Sequence, residues 1–252
     1  MIDIQNLSKN YGSKKVLSEV SFPIKEGQLT AFIGPNGAGK STLLSMISRL
    51  ITIDSGQIYL DHNEVKAWHS NELAKKLAIL KQSNSVNLRI TVRELVSFGR
   101  FPYSKGRLTE ADQALIAYAL EKLGLVELAE ERIDTLSGGQ LQRAYIAMIL
   151  AQDTDYILLD EPLNNLDMNH AVHLMHTLRR LVEEDHKTVL LVIHDLNFAA
   201  SYADQIVAMK AGQIFAFGTT DEMIQPTILN ALYDMEIKVC ELEGKRFCMY
   251  FN

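Results

Sequence analysis

Leu29-Thr30-Ala31-Phe32-Ile33-Gly34-Pro35-Asn36-Gly37-Ala38-Gly39-Lys40-Ser41 is the stretch that decides the fold. Leu29 to Ile33 reads as a short apolar strand, and Gly34 to Ser41 fits the P-loop pattern G-x-x-x-x-G-K-[ST]. Leu43, Leu44 and Ile47 then mark one face of a helix over 40–50. Strand, loop and helix in that order are what phosphate binding requires. Gly34, Gly37 and Gly39 let the backbone curl so that N–H groups face the β- and γ-phosphates, with Pro35, Asn36 and Ala38 completing the loop. Lys40 adds a point charge, the Ser41 hydroxyl can ligate Mg²⁺, and Thr42 follows at the helix start.

Upstream, 2–7 and 16–24 alternate apolar and polar residues and are broken by Tyr11-Gly12 and Glu26-Gly27, which reads as antiparallel strands. Downstream come a strand over 57–60, a helical stretch over 70–77 and a strand over 77–81. From about 83 to 152 the texture turns helical. Thr91-Val92-Arg93-Glu94 forms a capping box, Thr109-Glu110-Ala111-Asp112 a looser acidic one, and an amphipathic helix covers 114–123. A further helix is expected from Ser137 to about Ala151. The α/β rhythm then resumes with strands over 156–160, 188–193 and 205–209, helices over 168–184 and 195–202, and a hairpin at Gly212. Alternating strands and helices predict a parallel sheet covered on both faces, with the helical block inserted into it. The last segment, 237–251, reads as a small hairpin turning at Glu243-Gly244.

Leu136-Ser137-Gly138-Gly139-Gln140 is a second phosphate-binding device, because a Ser-Gly-Gly run opening a helix exposes another set of backbone N–H groups. Two such devices for one nucleotide suggest a dimer in which each copy completes the other's site. Tyr156 to Glu161 is a buried strand ending in two carboxylates. Asp160 is placed to hold Mg²⁺, and Glu161 either polarises an attacking water as general base or caps the next turn. His170, His173 and His176 lie three apart on one helix, but no carboxylate or cysteine completes a metal shell, so a solvated face is expected.

The chain has 252 residues, 47% hydrophobic and 22% charged, with a net charge of −6. That balance is ordinary for a globular protein and disfavours a nucleic-acid surface, which needs clustered Lys and Arg. The 2 cysteines, Cys240 and Cys248, match no common zinc spacing and are expected as free thiols. The N-terminus lacks the features of a signal peptide, and no apolar run is long enough to span a bilayer. A cytoplasmic protein is expected, with any membrane part supplied by another chain.

The P-loop, Gln82, the Ser137–Gln140 turn, Asp160-Glu161, Leu166-Asp167 and His194 occur in the order and spacing of ATP-binding cassette (ABC) ATPases. The chain resembles that family over residues 2–235. The resemblance implies a P-loop NTPase (RecA-like) α/β core with an N-terminal antiparallel β subdomain and an inserted helical subdomain. The ATPase domain would span 2–236 and the C-terminal hairpin 237–252. It further implies a head-to-tail homodimer with ATP and Mg²⁺ at its interface, each ATP meeting the P-loop of one copy and Ser137, Gly138, Gly139 and Gln140 of the other.

In the family pattern Gln82 touches Mg²⁺ and the attacking water, and His194 contacts the γ-phosphate and orients that water. Tyr11 resembles the aromatic that stacks on adenine, with packing in the hairpin as its alternative. Glu161-Pro162-Leu163-Asn164-Asn165-Leu166-Asp167-Met168 resembles the version carried by ATPases of ferric-siderophore importers. The stretch Thr91–Arg107, with its aromatic and basic run Phe98-Gly99-Arg100-Phe101-Pro102-Tyr103 and Gly106-Arg107, looks like the same subgroup, in the region where the family docks an integral membrane permease. A solvated loop is the other reading of that run.

The function expected is the ATPase subunit of a bacterial importer for ferric siderophore, peripheral on the cytoplasmic face of the cell membrane and served indirectly by a solute-binding protein. Cobalamin, haem or a metal ion are alternative solutes, since the ATPase never touches the solute. A non-transport cassette acting on DNA or ribosomes would carry long insertions or tandem cassettes, and a silent ATP switch would lack Glu161 and His194.

Overall fold

The computed structural model describes residues 1–81 and 89–250. The chain opens with β1 (Ile2–Tyr11) and β2 (Lys14–Ile24), then β3 (Leu29–Ile33), α1 (Lys40–Ile47), β4 (Ser55–Leu60) and β5 (Asn63–Glu64). Next come α2 (Ser70–Lys76), β6 (Leu77–Leu80), α3 (Val92–Ser97), α4 (Phe101–Ser104), α5 (Glu110–Lys122) and α6 (Gly138–Ala151). The chain returns through β7 (Tyr156–Asp160), α7 (Met168–Glu183), β8 (Thr188–Val192), α8 (Leu196–Tyr202), β9 (Gln205–Lys210) and β10 (Gln213–Thr219). It ends with α9 (Thr220–Met223), α10 (Pro226–Tyr233), β11 (Lys238–Leu242) and β12 (Lys245–Met249).

Among the described residues the strands form a 6-stranded sheet in the order β10-β9-β3-β8-β7-β6, a 4-stranded sheet β2-β1-β4-β5 and the hairpin β11-β12. β6, β7, β8, β3 and β9 run parallel, and β10 returns antiparallel to β9. The sequence of these strands explains the layering. Leu158, Leu190, Val192 and Val207 face the antiparallel sheet and α1, packing with Ile2, Leu7, Leu43 and Ile47. Their neighbours Ile157, Leu159, Val189, Leu191 and Ile206 face the opposite way, toward α7 and the helices between Val92 and Ala151. With both faces covered, every residue of the central strands β3, β7 and β8 is buried, and these runs read as nearly continuously apolar. Truncating Leu158 to Ala would remove a side chain that is 0% exposed and cost about 2–5 kcal/mol.

Three expectations need correction. The helix expected over 114–123 begins at Glu110, because Thr109 caps it and Asp112 closes a full capping box back onto Thr109. The helix α10, which buries Leu229 and Leu232 one turn apart behind Pro226 in its first turn, is an element the sequence reading lacks. Arg100 does not belong to an exposed aromatic and basic surface. It is buried, its Nε donates to Asp112 Oδ1 at 2.8 Å, and its Nη1 donates to the carbonyls of Ala151 and Gln152. Aromatics interleaved with Arg100, Lys105 and Arg107 read as interface in the sequence, whereas the partners of Arg100 come from two other helices.

Candidate functional site

β3 delivers the P-loop at the carboxyl edge of the parallel sheet, where doubly wound folds bind ligands. Gly34 has φ 138°, and a Cβ there would stand 2.0 Å from the carbonyl oxygen of Met209 on β9. The loop is braced from the β9–β10 turn, where Gly212 N–H donates to Ala38 O at 3.2 Å. α1 starts without a side-chain cap, so its first-turn N–H groups stay available to an anion.

The cleft over this loop has a volume of about 690 Å³, within the range of small-ligand pockets. Asn36, Gly37, Ala38, Gly39, Lys40, Ser41 and Thr42 line it, together with Tyr11, Glu161 and His194. Gly34 and Pro35 form the base of the loop and act through Lys40, whose Nζ donates to their carbonyls at 2.7 and 3.1 Å. Tyr11 is 51% exposed at the end of β1, as a stacking surface must be, with Lys9 Nζ 5.7 Å from its ring centroid.

The acidic edge of the cleft is built from β7 and β8. Asp160, the last residue of β7, is buried and accepts from Ser41 Oγ at 2.8 Å. Burial raises its carboxyl above the ordinary range, with the neighbouring Glu161 charge adding to the effect against the Ser41 bond and Lys40. Glu161 then turns into the left-handed region at φ 52°, while its N–H donates to Val192 O on β8. Such a conformation in a non-glycine residue costs on the order of 1–3 kcal/mol and directs the side chain away from the strand's alternation. His194 Nε2 lies 2.6 Å from Glu161 Oε1, and Asn164 Nδ2 donates to Oε2 at 2.7 Å. Burial pushes the Glu161 carboxyl up, but these two partners and Lys40 outweigh it and hold the group below its usual range.

Adjacent carboxylates are thereby driven in opposite directions, Asp160 by burial and Glu161 by its hydrogen-bond partners. Lys40 is itself lowered by burial, opposed by the charges of Glu161 and Asp160.

The Ser41 hydroxyl and Asp160 carboxylate are hard oxygens in direct contact, and no cluster of three His, Cys, Asp or Glu occurs among the described residues. That donor set fits Mg²⁺, which takes one or two protein oxygens and completes its shell with phosphate and water. Gln82, expected to join it, lies outside the described residues.

Ser137, Gly138, Gly139 and Gln140 do not line this cleft. They line a separate hollow of about 520 Å³ with Arg143, Asn165 and Asp167. Ser137 caps α6: its Oγ accepts from Gln140 N–H at 3.3 Å while Gln140 Oε1 accepts from Ser137 N–H at 2.9 Å. Gly139 has a packing reason of its own, because a Cβ there would sit 2.9 Å from Asn165 O.

The three helical histidines do not converge. His170 bonds Asp167, His173 bonds Lys122 O, and His176 meets the Tyr202 hydroxyl. Sequence reading missed Asn164 as a partner of Glu161 and missed Lys14 and Lys15, which also line the cleft. The paired lysines after Tyr11-Gly12 were a visible signal, while the role of Asn164 depends on the turn that Glu161 makes.

A family model described as "ABC transporter" matches residues 17–164. The chain is 56% identical over 252 residues to the petrobactin import ATP-binding protein YclP of Bacillus subtilis (strain 168), covering 100% of both. It is 39% identical over 255 residues to the iron(3+)-hydroxamate import ATP-binding protein FhuC of the same strain, covering 100% of this chain and 95% of that one. Among solved structures it is similar to the dimeric ATP-binding cassette MJ0796 in a post-hydrolysis state with ADP and Pi. The TM-score is 0.79 and the identity 32%, over 87% of this chain and 99% of that one.

Proposed function

The chain belongs to the ABC transporter family as one of its ATPases, and from that premise we propose that it powers a bacterial importer for a ferric siderophore. One relative named above is a petrobactin import protein and the other an iron(3+)-hydroxamate import protein, which supports the solute class. Among the described residues no helix is long and apolar enough to cross a membrane.

One observation carries the mechanism: the Ser137–Gln140 turn and the P-loop line different hollows that share no residue. A nucleotide on the P-loop of one copy is therefore completed by the turn of a second copy docked head to tail. ATP acts by binding the closed dimer more tightly than the open one. Within the closed site the P-loop amides and Lys40 hold the phosphates, Tyr11 supports the base, and Glu161 takes the proton of the attacking water. His194 and Asn164 fix the two Glu161 oxygens so that one carboxylate orientation is presented. Mg²⁺, held by Ser41 and Asp160, would neutralise charge on the phosphate oxygens.

The permease side is assigned to the hollow lined by Arg49, Leu50, Leu73, Phe98 and Met148, with Phe101 following three residues after Phe98. Leu50, Phe98 and Phe101 are 50%, 48% and 60% exposed, an apolar surface that suits a protein partner.

Light scattering of the Glu161→Gln chain tests the core of this reading. With ATP the expected species is a stable dimer, and a monomer at saturating ATP would remove the composite site. Ferric-siderophore uptake in cells lacking the gene tests the solute.

A further inference from the structure

The segment after the catalytic core reaches back to the nucleotide site at two points. On α10 the Tyr233 hydroxyl accepts from Gly34 N–H, the first amide of the P-loop, at 3.1 Å. The residue is partly buried, and burial pushes its hydroxyl up to about 12, so it stays neutral as an acceptor. The second point is at α8, the helix that begins two residues after His194. Cys248 of β12 donates its N–H to Asn197 Oδ1 at 2.7 Å, and Asn197 Nδ2 donates to Cys248 O at 3.4 Å. One side chain thus pairs with both backbone groups of a buried strand residue. Asn197 N–H is in turn held by Asp195 Oδ1 at 2.8 Å, which ties the contact to the residue following His194.

Further bonds make the segment stiff enough to transmit position. Ile237 N–H donates to Asn230 Oδ1 at 2.7 Å, joining α10 to the hairpin. Arg246 Nη1 donates to the carbonyl of Asp221, fixing the hairpin to α9. Lys210 Nζ bonds Ala231 O and Asp234 Oδ1 at 2.6 and 2.7 Å, fixing the end of α10 to β9.

We propose that the segment from α10 to β12 is a clamp that sets the P-loop and the His194 turn relative to one another, with Tyr233 and Asn197 as its positioning residues. The proposal rests on the ATPase reading of the cleft. Neither residue touches the reacting atoms. Tyr233 acts through the first amide of the phosphate loop and so affects nucleotide binding. Asn197 acts through α8 on His194, hence on the orientation of Glu161 and on turnover after ATP has bound.

The test is steady-state ATPase of the full chain, with ATP affinity and stoichiometry measured by calorimetry and the unfolding midpoint recorded for each variant. Tyr233→Phe removes one oxygen and is expected to raise KM for ATP about three- to tenfold with kcat within twofold of wild type. Asn197→Leu is expected to bind ATP normally at full stoichiometry while kcat falls roughly tenfold. Asn197→Asp keeps the acceptor for Cys248 N–H while losing the donor to Cys248 O, and is expected to recover part of that loss, which a general weakening of the fold would not produce. An unchanged KM in Tyr233→Phe overturns the loop arm of the clamp, and an unchanged kcat in Asn197→Leu overturns the helix arm. Parallel losses of binding and kcat that Asn197→Asp does not recover overturn both. A wild-type chain without ATP turnover would overturn the function and the clamp together, whereas wild-type turnover with indifferent variants overturns the clamp alone.

Discussion

His194 Nε2 sits 2.6 Å from Glu161 Oε1, so the ends of two adjacent parallel strands are joined by a side-chain bond across the mouth of the phosphate cleft. This contact lowers the Glu161 carboxyl despite its burial. Replacing His194 with Ala should therefore let burial prevail and raise that carboxyl. A general base works only when ionised, so the acid limb of the kcat profile should move to higher pH, with kcat reduced about 10²-fold or more. A pH–rate profile of the variant checks both.

Glu161→Gln should retain ATP binding and lose turnover by roughly 10²–10⁴-fold, the span of general acid–base catalysis. Single-turnover assays with labelled ATP measure the chemical step apart from binding.

Lys40→Ala should weaken ATP binding, because the variant removes the one cationic side chain that the loop itself carries into the cleft. Calorimetric titration measures the loss, and wild-type affinity would remove Lys40 from the phosphate site.

Complementation separates a composite site from a self-contained one. Chains carrying Lys40→Ala and chains carrying Ser137→Arg should each be inactive alone. Mixed in equal amounts they should recover about a quarter of wild-type ATPase, since half the dimers then hold one intact site. A site contained within one chain would recover nothing.

Arg100 and Asp112 give a prediction about stability. Asp112 is held at about 2 by the Thr109 backbone bond first, then by Arg100 and the Thr109 hydroxyl. Its native value lies below the unfolded 3.8, so its contribution is complete above that value and fades as pH falls toward about 2. Asp112→Ala strands a buried guanidinium and should cost about 3–5 kcal/mol in denaturant unfolding at neutral pH.

The same pair shows where sequence reading stops. The P-loop, the Ser-Gly-Gly turn and the Asp160-Glu161 strand end were legible because each is contiguous and its chemistry depends on local backbone. Arg100 was misplaced because its partners, Asp112, Ala151 and Gln152, are brought in by tertiary packing. Tyr103, grouped with it as interface, donates its hydroxyl to Lys75 O at 3.2 Å and lies 4.0 Å over the Arg100 guanidinium. Phe101 is thus the cleaner variant for uncoupling ATPase from transport. The pull of His194 on Glu161 was equally hidden, since it depends on β7 and β8 being neighbours and on a left-handed turn at a glutamate.

The close approach of Gly34 to Met209 gives mutations in one loop two different fates. A Lys40 variant keeps its fold, and a high enough concentration of ATP can refill its site by mass action. A methyl group at position 34 would instead collide with the carbonyl of the adjoining strand, and no amount of nucleotide would relieve a collision between two segments of backbone. Loss of Gly34 should therefore be inherited as a folding defect, cleared by the cell's proteases, while loss of Lys40 leaves a stable but idle chain.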